Sequence, residues 1–184
     1  LTTNASMLAS QAQALKSAGL KRVNISLDSL DGETFKKITR NGNLCNVLNG
    51  IQAAIFSDLR PVKLNVVLIP GVNDSEIANF VWFAKKYPVT LRFIERMPFS
   101  PDGRKQPEDD YVSEKEVLKQ IPDFCLLEPD STEISFGPSK NYRIVDGKGR
   151  IGFISPRTRP FCNDCRRLRL TANGFLLPCL DSTM

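Results

Sequence analysis

Val62-Lys63-Leu64-Asn65-Val66-Val67-Leu68 has the period of a β-strand. Val62, Leu64, Val66 and Leu68 share one face, while Lys63 and Asn65 share the other. A strand buried on both faces of a parallel sheet is nearly all apolar. A charge and an amide in mid-strand therefore mark a face that meets water or a ligand. Arg22-Val23-Asn24-Ile25-Ser26-Leu27 repeats the pattern, with Asn24 and Ser26 opposite Val23, Ile25 and Leu27. Residues 90–95 form a third strand, which carries Arg92.

Helical stretches separate these strands. Leu8, Ala12 and Leu15 recur at helical spacing, from a cap at Asn4 or Ser6 to Gly19. A short helix falls within 28–40, and a second carries Val47, Leu48, Ile51, Ala54 and Ile55. Ile77, Phe80, Val81 and Ala84 mark another, capped by Asn73 or Asp74 and ended by Pro88. The four residues at the start of the chain read as a strand end. Alternating strands and helices predict an α/β fold with a parallel sheet, either a barrel or doubly wound. The repeated polar residues favour a barrel with a wet or ligand-filled interior. An exposed sheet face is the plainer alternative.

Beyond Met97 the character changes. Residues 99–110 read as a polar loop, and Ser113 with Glu116 as a capping box. Residues 122–139 read as irregular. Segments 142–145 and 150–154 flank Asp146-Gly147 as a β-hairpin.

The last chemistry-bearing stretch is Phe161-Cys162-Asn163-Asp164-Cys165-Arg166-Arg167-Leu168-Arg169, returning through Asn173-Gly174 to Cys179. Two thiols in C-x2-C spacing can grip one metal from a single loop, and the Asn-Gly turn can bring back a third. A buried apolar cluster, or one disulfide with a spare thiol, is the alternative. The chain has no histidine, which excludes a thiolate–imidazole site within it. Structural zinc takes four protein ligands, so three thiolates and an open position better fit an iron–sulfur cluster. Arg166, Arg167 and Arg169 beside them suggest an anion site. Cys45 and Cys125 read as small packed side chains.

Bulk properties agree with a soluble globular protein: 184 residues, 41% hydrophobic and 24% charged. No apolar run approaches a membrane span, and the start has no signal-peptide pattern. The chain does not begin with Met and reads as the middle of a longer protein. Five cysteines in no framework spacing point to a reducing, cytoplasmic setting. The net charge of +5 suits anionic ligands better than a nucleic-acid coat.

Taken together, these stretches resemble the GTP 3′,8-cyclase family of molybdenum cofactor biosynthesis, which are radical S-adenosylmethionine (SAM) enzymes. The matching segments are Leu1-Thr2-Thr3-Asn4, Asn24-Ile25-Ser26-Leu27-Asp28, 62–67, Gly71-Val72-Asn73-Asp74, 91–97, Gly152-Phe153-Ile154-Ser155 and 161–180. They run in family order and cover nearly the whole chain. The resemblance implies an incomplete TIM-type (β/α)6 barrel, here from its third strand to its sixth. A C-terminal α+β extension carrying a cysteine cluster would follow. The corresponding division is 1–98 for the second part of the barrel and 99–184 for the C-terminal domain.

It implies two [4Fe-4S] clusters: one upstream that binds and cleaves SAM to a 5′-deoxyadenosyl radical, and one held by Cys162, Cys165 and Cys179. The radical takes hydrogen from the ribose C3′ of GTP, and C8 of the purine is then attacked intramolecularly. By matched position Thr2, Lys63, Arg92, Arg167 and Arg169 would contact GTP, and Ser26 and Met97 would contact SAM. No residue is assigned as catalytic. An electron donor for the upstream cluster is implied, with neither nucleic acid nor membrane as a partner, and a homodimer is compatible. The upstream C-x3-C-x2-C of the family is absent from this chain, and Ala5 stands where the family usually has glycine. The chain would therefore hold the substrate half of the site and be inactive alone. The alternatives are another radical SAM enzyme with an auxiliary cluster, or a zinc-ribbon module that binds nucleic acid.

Overall fold

The computed structural model describes residues 1–97, 110–122, 125–130, 137–165 and 167–179. Strands β1 (Thr2–Thr3), β2 (Val23–Ser26), β3 (Val62–Leu68) and β4 (Val89–Glu95) come first. They alternate with helices α1 (Leu8–Ser17), α2 (Gly32–Thr39), α3 (Leu44–Phe56) and α4 (Ile77–Lys86). Helix α5 (Glu114–Gln120) and strands β5 (Leu127–Pro129), β6 (Lys140–Ile144) and β7 (Arg150–Ile154) follow. A last pair is β8 (Arg169–Leu170) and β9 (Leu176–Leu177).

The main sheet has seven strands in the order β1-β2-β3-β4-β7-β6-β5. Strands β1, β2, β3, β4 and β7 run parallel, each to its neighbour. Strands β6 and β5 add antiparallel at the far edge. The expected α/β class with a parallel sheet is therefore present. The expected hairpin 142–154 forms, and its second strand docks in parallel beside β4, so the sheet runs on past β4. Part of 122–139 is not irregular as expected, because Leu127–Pro129 pairs with β6. A bare strand edge leaves N–H and C=O groups seeking partners, and β5 supplies them. The loop expected over 99–110 lies outside the described residues except for Asp110.

The core lies on the helix side of the sheet. Val23, Ile25, Val62, Leu64, Val66, Leu68, Leu91, Phe93, Ile151 and Phe153 are all buried there. Aromatic contacts carry this core from α4 across to β6. Phe80 meets Phe93 edge-on at 6.2 Å, and Tyr142 meets Phe153 edge-on at 5.7 Å. Cys125 is buried as expected, and burial pushes its thiol pKa up. Cys45 is exposed in the first turn of α3, so the expectation of a packed side chain fails there. No helix among the described residues is long and apolar enough to cross a membrane.

Helix ends follow the sequence signals in part. Gly19 closes α1 with φ +94°, and Ser113 with Glu116 forms the full capping box of α5. Neither Asn4 nor Ser6 caps α1: the N-cap position falls on Met7, with no side-chain cap. Asn4 Oδ1 instead accepts hydrogen bonds from the Ser6 N–H and hydroxyl. Ala5 turns the chain with φ +59°, and its carbonyl accepts from Leu8 N–H at 3.1 Å. That left-handed conformation explains why glycine suits this position. Neither Asn73 nor Asp74 caps α4 through its side chain; a short 3-10 turn, Asp74–Glu76, leads into it.

Helices α1 and α3 pack through Gly50. A Cβ at that position would stand 2.7 Å from Ala5 O and 3.1 Å from Ala5 Cβ. Gly50→Ala is therefore expected to destabilise the fold by about 1–3 kcal/mol despite its gain in helix propensity. A urea titration of the variant beside the parent measures this. An unchanged midpoint would show that the two helices can part without cost.

Candidate functional site

Parallel register carries the polar strand positions into two rows on the sheet face away from the core. The first row is Thr2, Asn24, Lys63, Thr90 and Arg150, each opposite the next. The second is Ser26, Asn65, Arg92, Gly152 and Asn141. Alternation in β3 is strict: Lys63, Asn65 and Val67 are half-buried between four buried apolar residues. Thr2, Ser26, Lys63 and Arg92, expected from different strands, are thus brought to one face. Asn141, Thr90 and Arg150 join them there. Sequence reading missed Thr90 and the β7 and β6 members, because only pairing reveals their register.

Gly152 makes room in the second row. A Cβ there would lie 2.4 Å from Ser139 Oγ, 2.6 Å from Asn141 Oδ1 and 3.4 Å from Arg92 Cγ. Ser139 donates its hydroxyl to Asn141 Oδ1 at 2.7 Å. The buried Oδ1 of Asn65 accepts no hydrogen bond among the described residues. An acceptor held off from water in this way is a place for a ligand donor. Near the starts of β3, β4 and β7 a cavity of about 330 Å³ is lined by Arg60, Thr90, Lys148 and Arg150, which makes that end of the face basic.

The other ends of β2 and β3 are clasped by side chains. Asp28 Oδ1 accepts from Val67 N–H at 2.8 Å. Asn73 donates to Asp28 O at 2.6 Å and Val67 O at 2.9 Å, and accepts from Ile69 N–H. Glu76 accepts from Ser29 Oγ and Leu30 N–H, both at 2.7 Å, and from Asp31 N–H at 3.1 Å. These bonds fix the turn just after Ser26, which is itself exposed. Met97 is half-buried two residues past β4, next to Arg96, which pairs with Asp110.

The cysteine segment takes a separate place. Cys162–Asp164 is a 3-10 turn, and Cys165 N–H donates to Cys162 O at 3.2 Å. The expected turn at Asn173-Gly174 forms, with Gly174 at φ +88°. Strands β8 and β9 pair with Arg169 opposite Leu177. Cys162, Cys165 and Cys179 are all exposed. Among the described residues no group of three Cys, Asp or Glu is gathered closely enough to hold a metal. Arg167 lies 5.9 Å from the Phe161 ring centre, and Arg169 is exposed on β8. Arg166 lies outside the described residues. Cys162 and Cys165 thus lie in one turn before the β8–β9 hairpin, and Cys179 lies two residues after β9.

Two family models match the chain: the Radical SAM superfamily over residues 1–84 and Molybdenum Cofactor Synthesis C over residues 89–184. Among curated relatives, a GTP 3′,8-cyclase of Clostridium botulinum is 43% identical over 182 residues, covering 99% of this chain and 56% of the relative. Its namesake from Moorella thermoacetica is 47% identical over 180 residues, covering 98% and 55%. One from Alkaliphilus oremlandii is 46% identical over 182 residues. The chain thus spans little more than half the length of these relatives.

Burial raises the pKa of Asp28 above its ordinary value, partly offset by its bond from Val67 N–H. Below the ordinary carboxylate range both folded and unfolded forms are neutral. As pH rises, the unfolded chain ionises first, so this group's effect destabilises the fold progressively and is complete above the raised value. Asp28→Asn keeps an oxygen acceptor and removes the charge. The stability of the variant relative to the parent should therefore rise from acid to neutral pH and then level off. Denaturant titrations across that range check it, and a difference that is flat or falls with pH would contradict the burial effect.

Proposed function

We propose, because the chain belongs to the Molybdenum Cofactor Synthesis C family, that it is the substrate-holding part of a GTP 3′,8-cyclase. The reaction is the radical SAM-dependent conversion of GTP to (8S)-3′,8-cyclo-7,8-dihydroguanosine 5′-triphosphate, a first step toward molybdopterin. The observation that carries this reading is the pair of polar rows on an otherwise apolar parallel sheet. In it, residues 1–98 are the later strands of an incomplete (β/α)6 barrel, and residues 99–184 form the C-terminal domain. The open face is then the barrel interior.

Each residue has a role that its chemistry supports. Lys63 and Arg92 lie one row apart on neighbouring strands and bring two cations to a triphosphate. Thr2 stands at the end of the Lys63 row, where its hydroxyl can bond a nucleotide oxygen. Arg167 and Arg169, beside the cysteines, add planar guanidinium groups for phosphate. Ser26 ends β2 and Met97 lies two residues past β4, and both would contact SAM. Asn65, between Ser26 and Arg92, offers its acceptor to the same space. The enclosed interior keeps water from a reactive radical. Cys162, Cys165 and Cys179 would hold a [4Fe-4S] cluster, whose open iron position would supply a coordination site for the guanine.

The protein's partners in this reading are GTP, SAM and an electron donor for the SAM-binding cluster, in the cytoplasm. Its basic residues meet a triphosphate, not a polynucleotide.

The test uses the complete enzyme after anaerobic iron–sulfide reconstitution. Cys179→Ser should lose the C-terminal cluster by iron counting while SAM is still cleaved to 5′-deoxyadenosine. A variant with undiminished iron, or zinc that resists replacement, would overturn the ligand set. Arg167→Ala and Arg169→Ala should each weaken GTP binding about tenfold or more, the scale of one lost charge-assisted contact, with iron unchanged. Parent-like GTP affinity in both would remove them from the site.

A further inference from the structure

One buried carboxylate joins the two regions of this site. Glu95 ends β4 and is only 3% exposed. Its Oε2 accepts from the N–H groups of Arg157 and Thr158, each at 3.0 Å. Its Oε1 accepts the Thr158 hydroxyl. These donors lie in the turn that follows β7, and Ile154 at the end of β7 is paired with Ile94. The turn therefore folds back onto the end of the strand beside it. Three residues before Glu95 is Arg92, two residues after it is Met97, and four residues past Thr158 is Cys162.

The same turn is held from its other side. Ser155 donates its hydroxyl to Glu114 Oε2 at 3.1 Å, and Arg159 pairs with Glu114 at 3.5 Å. Arg159 N–H also returns to Ser155 O at 2.9 Å, and the Arg157 guanidinium lies over the Tyr111 ring at 4.4 Å. Glu114 touches side chains of the turn, whereas Glu95 grips the backbone N–H groups of Arg157 and Thr158. A carboxylate that accepts three donors fixes both the height and the direction of the chain leaving it.

We propose that Glu95 is a positioning residue that sets the cysteine segment against Arg92 of β4 and Met97 just beyond it. It touches neither substrate nor cluster and acts through the turn at 155–159. This rests on the cyclase reading of the site. The consequence is specific: loosening Glu95 shifts the second cluster and its bound nucleotide relative to the strand residues, while each centre can still form.

The experiment uses the complete reconstituted enzyme with Glu95→Gln and, separately, Thr158→Val. Glutamine keeps the shape, but its single oxygen cannot accept both the Thr158 hydroxyl on one side and the Arg157 and Thr158 N–H groups on the other. Valine removes only the hydroxyl donor and is the milder change. Both variants should keep parent iron content and SAM cleavage without GTP. For Glu95→Gln, KM for GTP should rise about tenfold or more, as for other residues that orient metal ligands from behind, with a smaller change in kcat. The electron paramagnetic resonance response of the C-terminal cluster to added GTP should change with it. Thr158→Val should move both readouts in the same direction by less. Glu95→Asp, one methylene shorter, should fail to restore them. A lowered melting temperature with parent-like KM and a parent-like spectral response to GTP would make the role structural only and overturn the proposal. A parent enzyme whose cluster spectrum and turnover both ignore GTP would overturn the cyclase reading, and this proposal with it.

Discussion

The structure depends on the period of two in its parallel strands. In β3 every second side chain enters the core and every other one stands on the opposite face. Since parallel strands pair residue against residue in fixed register, one polar choice is copied across the sheet as a row. A one-residue slip would carry Lys63 and Asn65 into the helix-packed core and Leu64 and Val66 out of it. The hydrophobic cost of that slip fixes the register, and the register in turn aligns Thr2, Lys63, Ser26 and Arg92. These polar rows are therefore a by-product of core packing, with each side chain placed by an apolar neighbour facing the other way.

The polar face has a cost of its own. A buried amide oxygen without a donor is worth about 1–3 kcal/mol against the fold, and Asn65 has one among the described residues. Apolar side chains there would be cheaper. The arrangement is reasonable if the missing donor arrives with a ligand, which would then recover the loss as binding energy. Gly152 fits the same logic. Any Cβ at that position would press on Ser139, Asn141 and the stem of Arg92, so glycine keeps the arginine's path clear.

Much of this was legible in the sequence. Alternation in 62–68 and 22–27 marked the strands and their polar face, and Asn173-Gly174 marked the returning hairpin. Three things were hidden, each for a physical reason. Arg150, Thr90 and Asn141 join the rows only through pairing partners far away in the chain. Asn73 looks like a helix cap, but tertiary demand captures its side chain: the Asp28 carbonyl after β2, and the Val67 carbonyl and Ile69 N–H at the end of β3, take it as their partner. Glu76 and Glu95 look like surface carboxylates, yet both are buried acceptors for backbone N–H groups of turns 45 or more residues away in sequence. A carboxylate's partner at that separation leaves no local signal.

Those two carboxylates also share a design with a functional consequence. Glu76 lies in the turn before α4 and Glu95 at the last position of β4, and each gathers N–H groups that a tight turn cannot satisfy from its own carbonyls. Glu76 secures the turn after Ser26, and Glu95 secures the turn that leads to Cys162. A buried carboxylate held by N–H dipoles is directional. It tolerates little displacement, because two or three bonds must stay aligned at once. Loops that must hold reacting groups in register gain from that rigidity. The exposed hairpin of β8 and β9 has little burial of its own, with Leu168, Leu170 and Leu176 each more than 60% exposed. Its orientation must then come from its point of departure, and the last firmly held backbone before it is the turn on Glu95.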